Sequence, residues 1–581
     1  MKNQRARSYT RILAGAAALV LALSCTACRA KEKPAAEEPA QQTAEPAAAE
    51  APAQSTAEPA AAETQTEAPA SGKAAAVYPA DKFRTTYQVF VYSFYDSDGD
   101  GIGDLKGLTQ KLDYIGDGDT GTTQDLDCSQ IWVLPVFPSP TYHKYDVTDY
   151  LAIDPQYGTM EDFDALLSAC HERGIRLILD LPLNHTSTEH PWFQQAAECL
   201  RSHAPEDGLP PETECETLSY YNFSDTKQAG YEPLEDTGWY YEARFWSGMP
   251  DLNLDNEAVR GELEKVVRFW LDKGVDGFRL DAVTSYYTDS HEKSIAFLSW
   301  LNDTVKEINP DAYLVGEAWE SQQVYARYYE SGIDSLFDFA FAGQDGLIAN
   351  VVRGSRSVSA WVEAMESEEA LFAGYSESYV NAPFYTNHDM ARSTGYYAYD
   401  DGTKTKFAEA LNLLMPGNAF LYYGEELGLK GSGKDENKRA PMPWESDAAA
   451  AGMCQGPPGM DPQAAKFGSL AEQIGDPASV WSYVRDAIRI RNTYPEIARG
   501  RTKEVKEMRA DTAVAFERIT DQGAVLIVVN AGEESVQMTL PAQTAQQYTV
   551  LADELETGGE KAALDGGVLT VPAYGVAVLT P

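Results

Sequence analysis

The chain has 581 residues, 44% hydrophobic and 11% aromatic, which exceeds one ordinary core and supplies material for two or more domains. Its 89 acidic and 46 basic residues leave a formal charge of -43 and exclude nucleic acid as a partner, since nothing here could displace counterions from phosphates. A neutral polysaccharide would not be repelled, and 33 tyrosines and 10 tryptophans offer rings for stacking on sugars, although most are expected in cores and seams.

Residues 1–28 read as a targeting segment rather than as part of the fold. Lys2, Arg5, Arg7 and Arg11 form a basic region, and Ile12–Ser24 is an apolar stretch shorter than the ~20 residues that span a bilayer. The following Ser24-Cys-Thr-Ala-Cys28 resembles a bacterial lipobox, which implies cleavage before Cys28 and a lipid on that cysteine. Cys25 stands where the motif prefers Leu, and Cys25 itself or plain secretion are the alternatives. From Arg29 to about Lys73 the chain is almost entirely Ala, Pro, Glu, Thr and Gln, so residues 29–80 are expected to be a disordered spacer. The chain is thus expected to be exported to a bacterial cell surface, touching the membrane only through its N-terminal anchor. Beyond Cys28, Cys128, Cys170, Cys199, Cys215 and Cys454 form no C-x-x-C pair, which removes a thiol metal site or redox motif. Most are expected as buried thiols, while Cys199 and Cys215 lie in one irregular segment and could pair.

From Tyr87 onward, strand-like and helix-like patterns alternate. The strand runs are Val89–Phe94, Gln130–Phe137, Arg176–Leu183, Gly277–Val283, Tyr313–Ala318, Ser335–Phe341, Val380–Thr386 and Ala419–Tyr423. Helical patterns such as Met160–Arg173, Glu257–Lys273 and Ile295–Ile308 separate them. Eight β-runs separated by helices predict a parallel (β/α)8 TIM barrel, and a doubly wound sheet is disfavoured by the missing Gly-rich βα turn. After the first run, Asp96, Asp98, Asp100 and Asp104 take positions 1, 3, 5 and 9 of an EF-hand-like loop, with the Ile102 carbonyl at 7 and Gly101 at 6. Gly107 at position 12 rules out a true EF-hand, but five oxygens in this order would repel without a cation, which predicts one structural Ca2+. Residues 186–256, after the third strand, are too long and irregular for a βα loop and read as an inserted subdomain that divides the barrel into 81–185 and 257–495. A helix at Ser482–Asn492 follows. Thr512–Arg518, Ala524–Asn530, Gln547–Leu551 and Val568–Thr580 then predict a C-terminal β-sandwich over 496–581.

Three apolar runs end abruptly in a carboxylate: Asp281, Glu317 and Asp389. Burying an unpaired carboxylate is expensive, so acids at strand exits suggest one shared cleft at one end of the sheet. Two acids on opposite sides of a scissile bond are what glycoside hydrolysis needs. Arg279, two residues before Asp281, faces the same side of its strand and can give it a charge-assisted hydrogen bond.

With these segments stand Asp180-Leu-Pro-Leu-Asn-His185, Asn387-His-Asp389, Met249-Pro-Asp-Leu-Asn253 and the loop Pro138–Tyr150. From about Asp81 to its C-terminus the chain resembles the alpha-amylase family, family 13 of the glycoside hydrolases. The resemblance implies Asp281 as nucleophile, Glu317 as general acid and base, and Asp389 as transition-state stabiliser. It implies His185 and His388 as sugar ligands and Tyr145 as an aromatic platform, with His143 either reaching the same site or packing its own loop. It also implies that the metal loop is structural and that no organic cofactor is needed. The Met249–Asn253 segment is intermediate between those of oligo-1,6-glucosidases and neopullulanases, whereas Ala282 and Trp319 lean toward α-1,4 bonds. The expected function is therefore a retaining α-glucan hydrolase acting on starch, maltodextrins or maltooligosaccharides through a covalent glycosyl-enzyme. A transglycosylase or α-1,6-cleaving relative is the alternative; a noncatalytic glycan-binding lipoprotein would need a missing carboxylate, and none is missing.

Overall fold

The computed structural model describes residues 78–581, so the expected signal segment, Cys28 and nearly all of the expected spacer lie outside the described residues. The first three strands are β1 (Thr85–Val89), β2 (Gln130–Val133) and β3 (Arg176–Leu181). Three short strands follow, β4 (Phe223–Ser224), β5 (Tyr231–Pro233) and β6 (Tyr240–Glu242). The larger sheet resumes with β7 (Gly277–Leu280), β8 (Tyr313–Gly316), β9 (Ser335–Leu336) and β10 (Ala419–Tyr422). Its order is β10-β1-β2-β3-β7-β8-β9, and every pairing is parallel.

The gap between β9 and β10 is closed by the Val380–Thr386 run, which makes single parallel bridges from Ala382 to Phe337 and from Phe384 to Phe420. This run was expected to be a full strand. Pro383, between the two bridging residues, has no N–H to give to a ladder, so pairing is reduced to bridges. The result is a closed TIM barrel. Its first strand lies earlier than the expected Val89–Phe94, and Val91–Ser93 is a 3-10 turn. All five residues of β1 are buried, including Thr86 and Gln88. Thr86 donates to Asn418 Oδ1 at 2.7 Å and accepts from Gln130 Nε2 at 3.0 Å, so the barrel interior is partly polar and a search for apolar runs misplaces the strand.

The barrel helices follow their apolar spacing. Glu257–Lys273 buries Val259, Leu263, Val266, Val267, Trp270 and Leu271 on one face. Asn256 caps its first turn through Ala258 N–H at 2.8 Å, and Gly274, at φ 103°, ends it in the left-handed conformation that turns the chain into β7.

Between β3 and that helix, the inserted segment is more regular than expected. It holds a helix at Pro191–Arg201 and an antiparallel sheet of order β4-β6-β5. Cys199 and Cys215 form a disulfide within it, and Cys128, Cys170 and Cys454 are buried thiols. The segment is sewn to the barrel by antiparallel bridges His185–Asp251 and Tyr221–Leu252.

The C-terminal region contains β11 (Arg501–Glu504), β12 (Ala513–Ile519), β13 (Ala524–Asn530), β14 (Val536–Thr539), β15 (Val550–Leu555), β16 (Ala563–Asp565), β17 (Val568–Val571) and β18 (Val576–Thr580). A five-stranded sheet, β11-β12-β13-β18-β15, packs on a three-stranded one, β14-β17-β16, around Leu526, Val528, Leu569 and Leu579. Two expected strands differ here. Ala542–Gln547 is a short helix ahead of β15, and Val568–Thr580 is divided into β17 and β18 at Tyr574, whose φ is 48°.

Candidate active site

Strands β7 and β8 run in register, with Leu280 opposite Gly316. Just beyond them Glu317 N–H donates to Leu280 O at 3.0 Å and Val283 N–H to Glu317 O at 2.9 Å, so Asp281 and Glu317 leave the sheet side by side. Ala282 adopts a left-handed conformation, φ 41°, and its N–H donates to Glu317 Oε2 at 3.1 Å. Arg279, fully buried on β7, joins three carboxylates. Nη1 donates to Asp281 Oδ1 at 2.6 Å and to Asp180 Oδ1 at 2.9 Å. Nη2 lies 3.0 Å from Glu317 Oε2, close enough for an ion pair though not aligned for a hydrogen bond. A guanidinium out of water requires such company, and it also rests over the Trp132 ring, 5.1 Å from its centre.

Burial pushes the Glu317 carboxyl up to about 8; Arg279 pulls against this, while Asp281 and Asp389 add to it. Glu317 is therefore protonated at neutral pH. Burial also pushes Asp180 up to about 7 against the pull of Arg279. Asp180 accepts from Trp132 Nε1 at 3.1 Å and from the Tyr145 hydroxyl at 2.9 Å.

On the other side of the mouth, Asp389 Oδ1 accepts from Arg439 Nη2 at 2.9 Å, and its Oδ2 lies 3.0 Å from His388 Nε2. The Asp389 side chain is 33% exposed, against 10% for Glu317, so it borders the open cleft. Gln88 Nε2 donates to His388 Nδ1 at 2.9 Å, which leaves the ring proton on Nε2, 2.7 Å from the Tyr145 hydroxyl. Burial first, then Arg439, Arg279 and Lys438, push His388 well below the usual histidine range, so it is neutral. Tyr145 and His388 lie nearly parallel, with ring centres 5.6 Å apart. His185 Nε2 donates to Tyr145 O at 3.2 Å, while its Nδ1 is buried without a protein partner.

His143 does both things left open for it. Its Nδ1 accepts from Tyr145 N–H at 3.2 Å and so orders the loop, and the ring lies within electrostatic reach of His185, Arg439 and Asp389. Burial pushes it down to about 4. All eight residues expected at the mouth therefore belong to one contiguous network. Sequence reasoning missed Arg439, Gln88 and Lys438, which donates to Asp389 O at 2.8 Å. Lys438 and Arg439 follow β10, and no spacing rule links position 439 to 389.

The acidic loop after β1 brings carboxylate oxygens of Asp96, Asp98 and Asp104 within 4.8 Å of one another. Asp100 is not in that group, and its Oδ1 accepts from Ile102 N–H at 2.8 Å. Asp96 accepts from Gly99 N–H at 2.6 Å and Gly101 N–H at 2.7 Å, and Asp104 caps the helix Leu105–Gln110 through Gly107 N–H at 2.8 Å. Three acids this close, all hard oxygen donors, fit a calcium-sized cation.

Residues 88–500 match the alpha-amylase catalytic domain. The chain belongs to the alpha-amylase family. It is 37% identical over 450 residues to alpha-amylase 3 of Dictyoglomus thermophilum, covering 76% of this chain and 84% of that protein. To the oligo-1,6-glucosidase of Heyndrickxia coagulans it is 28% identical over 544 residues, covering 79% of this chain and 93% of the relative. Among solved structures it resembles Eubacterium rectale Amy13B, with 47% identity, a TM-score of 0.83, and coverage of 87% of this chain and 97% of the other. As an alpha-amylase family member it is a glycosidase-type enzyme, of a group that includes both glucan hydrolases and transglycosylases.

Proposed function

We propose that this amylase-family enzyme is a retaining hydrolase of α-1,4-glucosidic bonds in starch, maltodextrins or maltooligosaccharides. The observation that carries the reading is the single Arg279 guanidinium held between Asp281 and Glu317, with burial raising the Glu317 carboxyl so that it can serve as a proton donor. Asp281 Oδ attacks the anomeric carbon as its bond to the departing oxygen breaks, and that oxygen takes the Glu317 proton. Glu317, now ionised, removes a proton from water, whose oxygen displaces the Asp281 carboxylate and restores the original configuration. Asp389, steadied by Arg439, accepts hydrogen bonds from ring hydroxyls as the sugar flattens. Tyr145 lies under the sugar; neutral His143 offers its Nε2–H to a hydroxyl, His185 offers Nδ1 as an acceptor, and His388 holds Tyr145 and Asp389 in place.

Ala282 and Trp319 support the α-1,4 bond, as does the likeness to a protein named an alpha-amylase. The likeness to an oligo-1,6-glucosidase, together with Met249–Asn253, supports the second reading, an α-1,6-cleaving or transglycosylating enzyme with the same carboxylates. Products from maltoheptaose, pullulan and isomaltose separate the two, and NMR of the first-released anomer tests retention. Asp281→Asn is expected to lower kcat by about 10⁴-fold or more with melting temperature preserved. Equal starch hydrolysis by parent and variant would remove the enzyme assignment to this site.

Calcium is part of the proposal: Asp96, Asp98 and Asp104, with the Ile102 carbonyl, would hold the ion and stiffen the loop after β1, a structural role outside the reaction. Export and lipidation at Cys28 complete it, tested by release of a Cys28→Ala protein into the medium.

A further inference from the structure

Away from the cleft, Tyr399 stands wholly in solvent at 104% relative exposure, whereas Trp246 and Trp319, the next most exposed rings, are at 52%. It is held there. Tyr399 has φ 57°, in the left-handed region, and the next residue locks the turn. The Asp400 carboxylate accepts from the N–H groups of Gly402 at 3.1 Å, Lys404 at 2.9 Å and Thr405 at 3.2 Å, and from the Thr405 hydroxyl at 2.6 Å. The turn that presents the ring is thus held by its own hydrogen bonds.

Beside it lies a groove of ≈ 690 Å³ between this loop of the barrel and the turns of the C-terminal sandwich. That is within the range of about 300–1,000 Å³ usual for ligand sites. Tyr574 forms part of its floor, buried at 7% exposure and braced edge-on by Phe407, with ring centres 5.4 Å apart. Asp401, Glu533 and Glu560 supply acceptors around the groove, and Lys404 supplies a donor. Acids in this number repel an anionic ligand, and a purely apolar one would leave them unsatisfied. An exposed ring next to carboxylate acceptors suits a neutral polyol with apolar C–H faces, which describes a run of glucose units. The groove also opens at the catalytic end of the barrel. Helix Thr403–Leu413 begins at its edge and leads back to the start of β10, so its N-terminus lies at the C-terminal ends of the strands.

We propose that Tyr399 marks a second α-glucan site, at the seam of barrel and C-terminal sandwich, that holds a stretch of polymer outside the cleft. This rests on reading the cleft as an α-glucan hydrolase. The test uses the full chain with Asp281→Asn, run through gels with and without soluble starch. Tyr399→Asn then removes the ring while keeping a residue that accepts the left-handed backbone. Starch retardation is expected to weaken about three- to tenfold with Tyr399→Asn and to return with Tyr399→Trp. In the active enzyme, Tyr399→Asn should raise the starch concentration for half-maximal rate by the same factor and leave kcat/KM on maltotriose unchanged. Unchanged retardation, or equal losses on maltotriose and starch, would overturn the second site. If the unsubstituted enzyme cleaves both substrates and Tyr399→Asn matches it on starch, only this site falls; if it cleaves neither, the cleft reading falls first and takes this one with it.

Discussion

At the mouth of the barrel Asp180, Asp281 and Glu317 surround one guanidinium, whereas on its flank Asp338 and Glu368 face each other among neutral donors. Asp338 accepts from the Tyr325 hydroxyl at 2.9 Å and Asn381 Nδ2 at 3.1 Å. Glu368 accepts from the same amide at 2.7 Å and from Gln322 Nε2 at 2.8 Å. Burial pushes both acids of this pair up, and Asp338 pushes Glu368 further. Glu317 is pushed up by the same force. A raised carboxyl therefore does not by itself mark a catalytic acid. The difference lies in what remains unspent: Glu317 accepts a hydrogen bond only from Ala282 N–H and borders the cleft, while Glu368 is sealed, with both oxygens already accepting.

The sharpest way to separate the two clusters is kinetic. Glu317→Gln should lower kcat about 10²–10⁴-fold and abolish the alkaline limb of kcat/KM, which in the parent falls as pH rises through about 8 because the acid must hold its proton. The stability sign is the same: a carboxyl raised from 4.5 to about 8 on folding contributes stability that is complete below 4.5 and lost as pH rises through 8. Melting scans should accordingly show Glu317→Gln more stable than the parent at pH 9 and no more stable at pH 4. A parent limb lying near pH 5 would break the assignment of Glu317 as the acid.

Glu368→Ala should do the reverse. It leaves the amides of buried Asn381 and of Gln322 without the acceptor they share, at a cost of about 2–4 kcal/mol in urea unfolding, with kcat unchanged per folded molecule. A fall in kcat with stability intact would move this pair into the reaction. The smallest effect is expected at the loop after β1. Chelation should lower the melting temperature by a few degrees, about 2.7 kcal/mol if calcium had been present at 100 times its Kd, and Asp96→Ala should remove that sensitivity. Identical melting with and without chelator would sink the calcium proposal.

Much of the mouth was legible because its residues sit at strand exits, where an acid after an apolar run is conspicuous. Asp281 and Glu317 follow β7 and β8 directly, and Asn256 and Gly274 bound the helix Glu257–Lys273 as its capping signals imply. Legibility failed where the deciding partner was remote. Thr86 and Gln88 look like loop residues until Asn418, Gln130 and His388 satisfy them across the barrel. Pro383 shortens a strand whose other letters are ideal.

Sequence alone was enough for the alternation of barrel strands and helices, the presence of an inserted segment and of a C-terminal β-region, and the positions of the acids, because periodicity and abrupt polarity changes are local properties of the chain. The tertiary structure decided which groups share a charge. Arg279 among three acids, Arg439 on Asp389, and the contrast between Glu317 and Glu368 depend on distances between residues far apart in sequence. Electrostatic energy varies with those distances and with burial, and neither is written in the order of the residues.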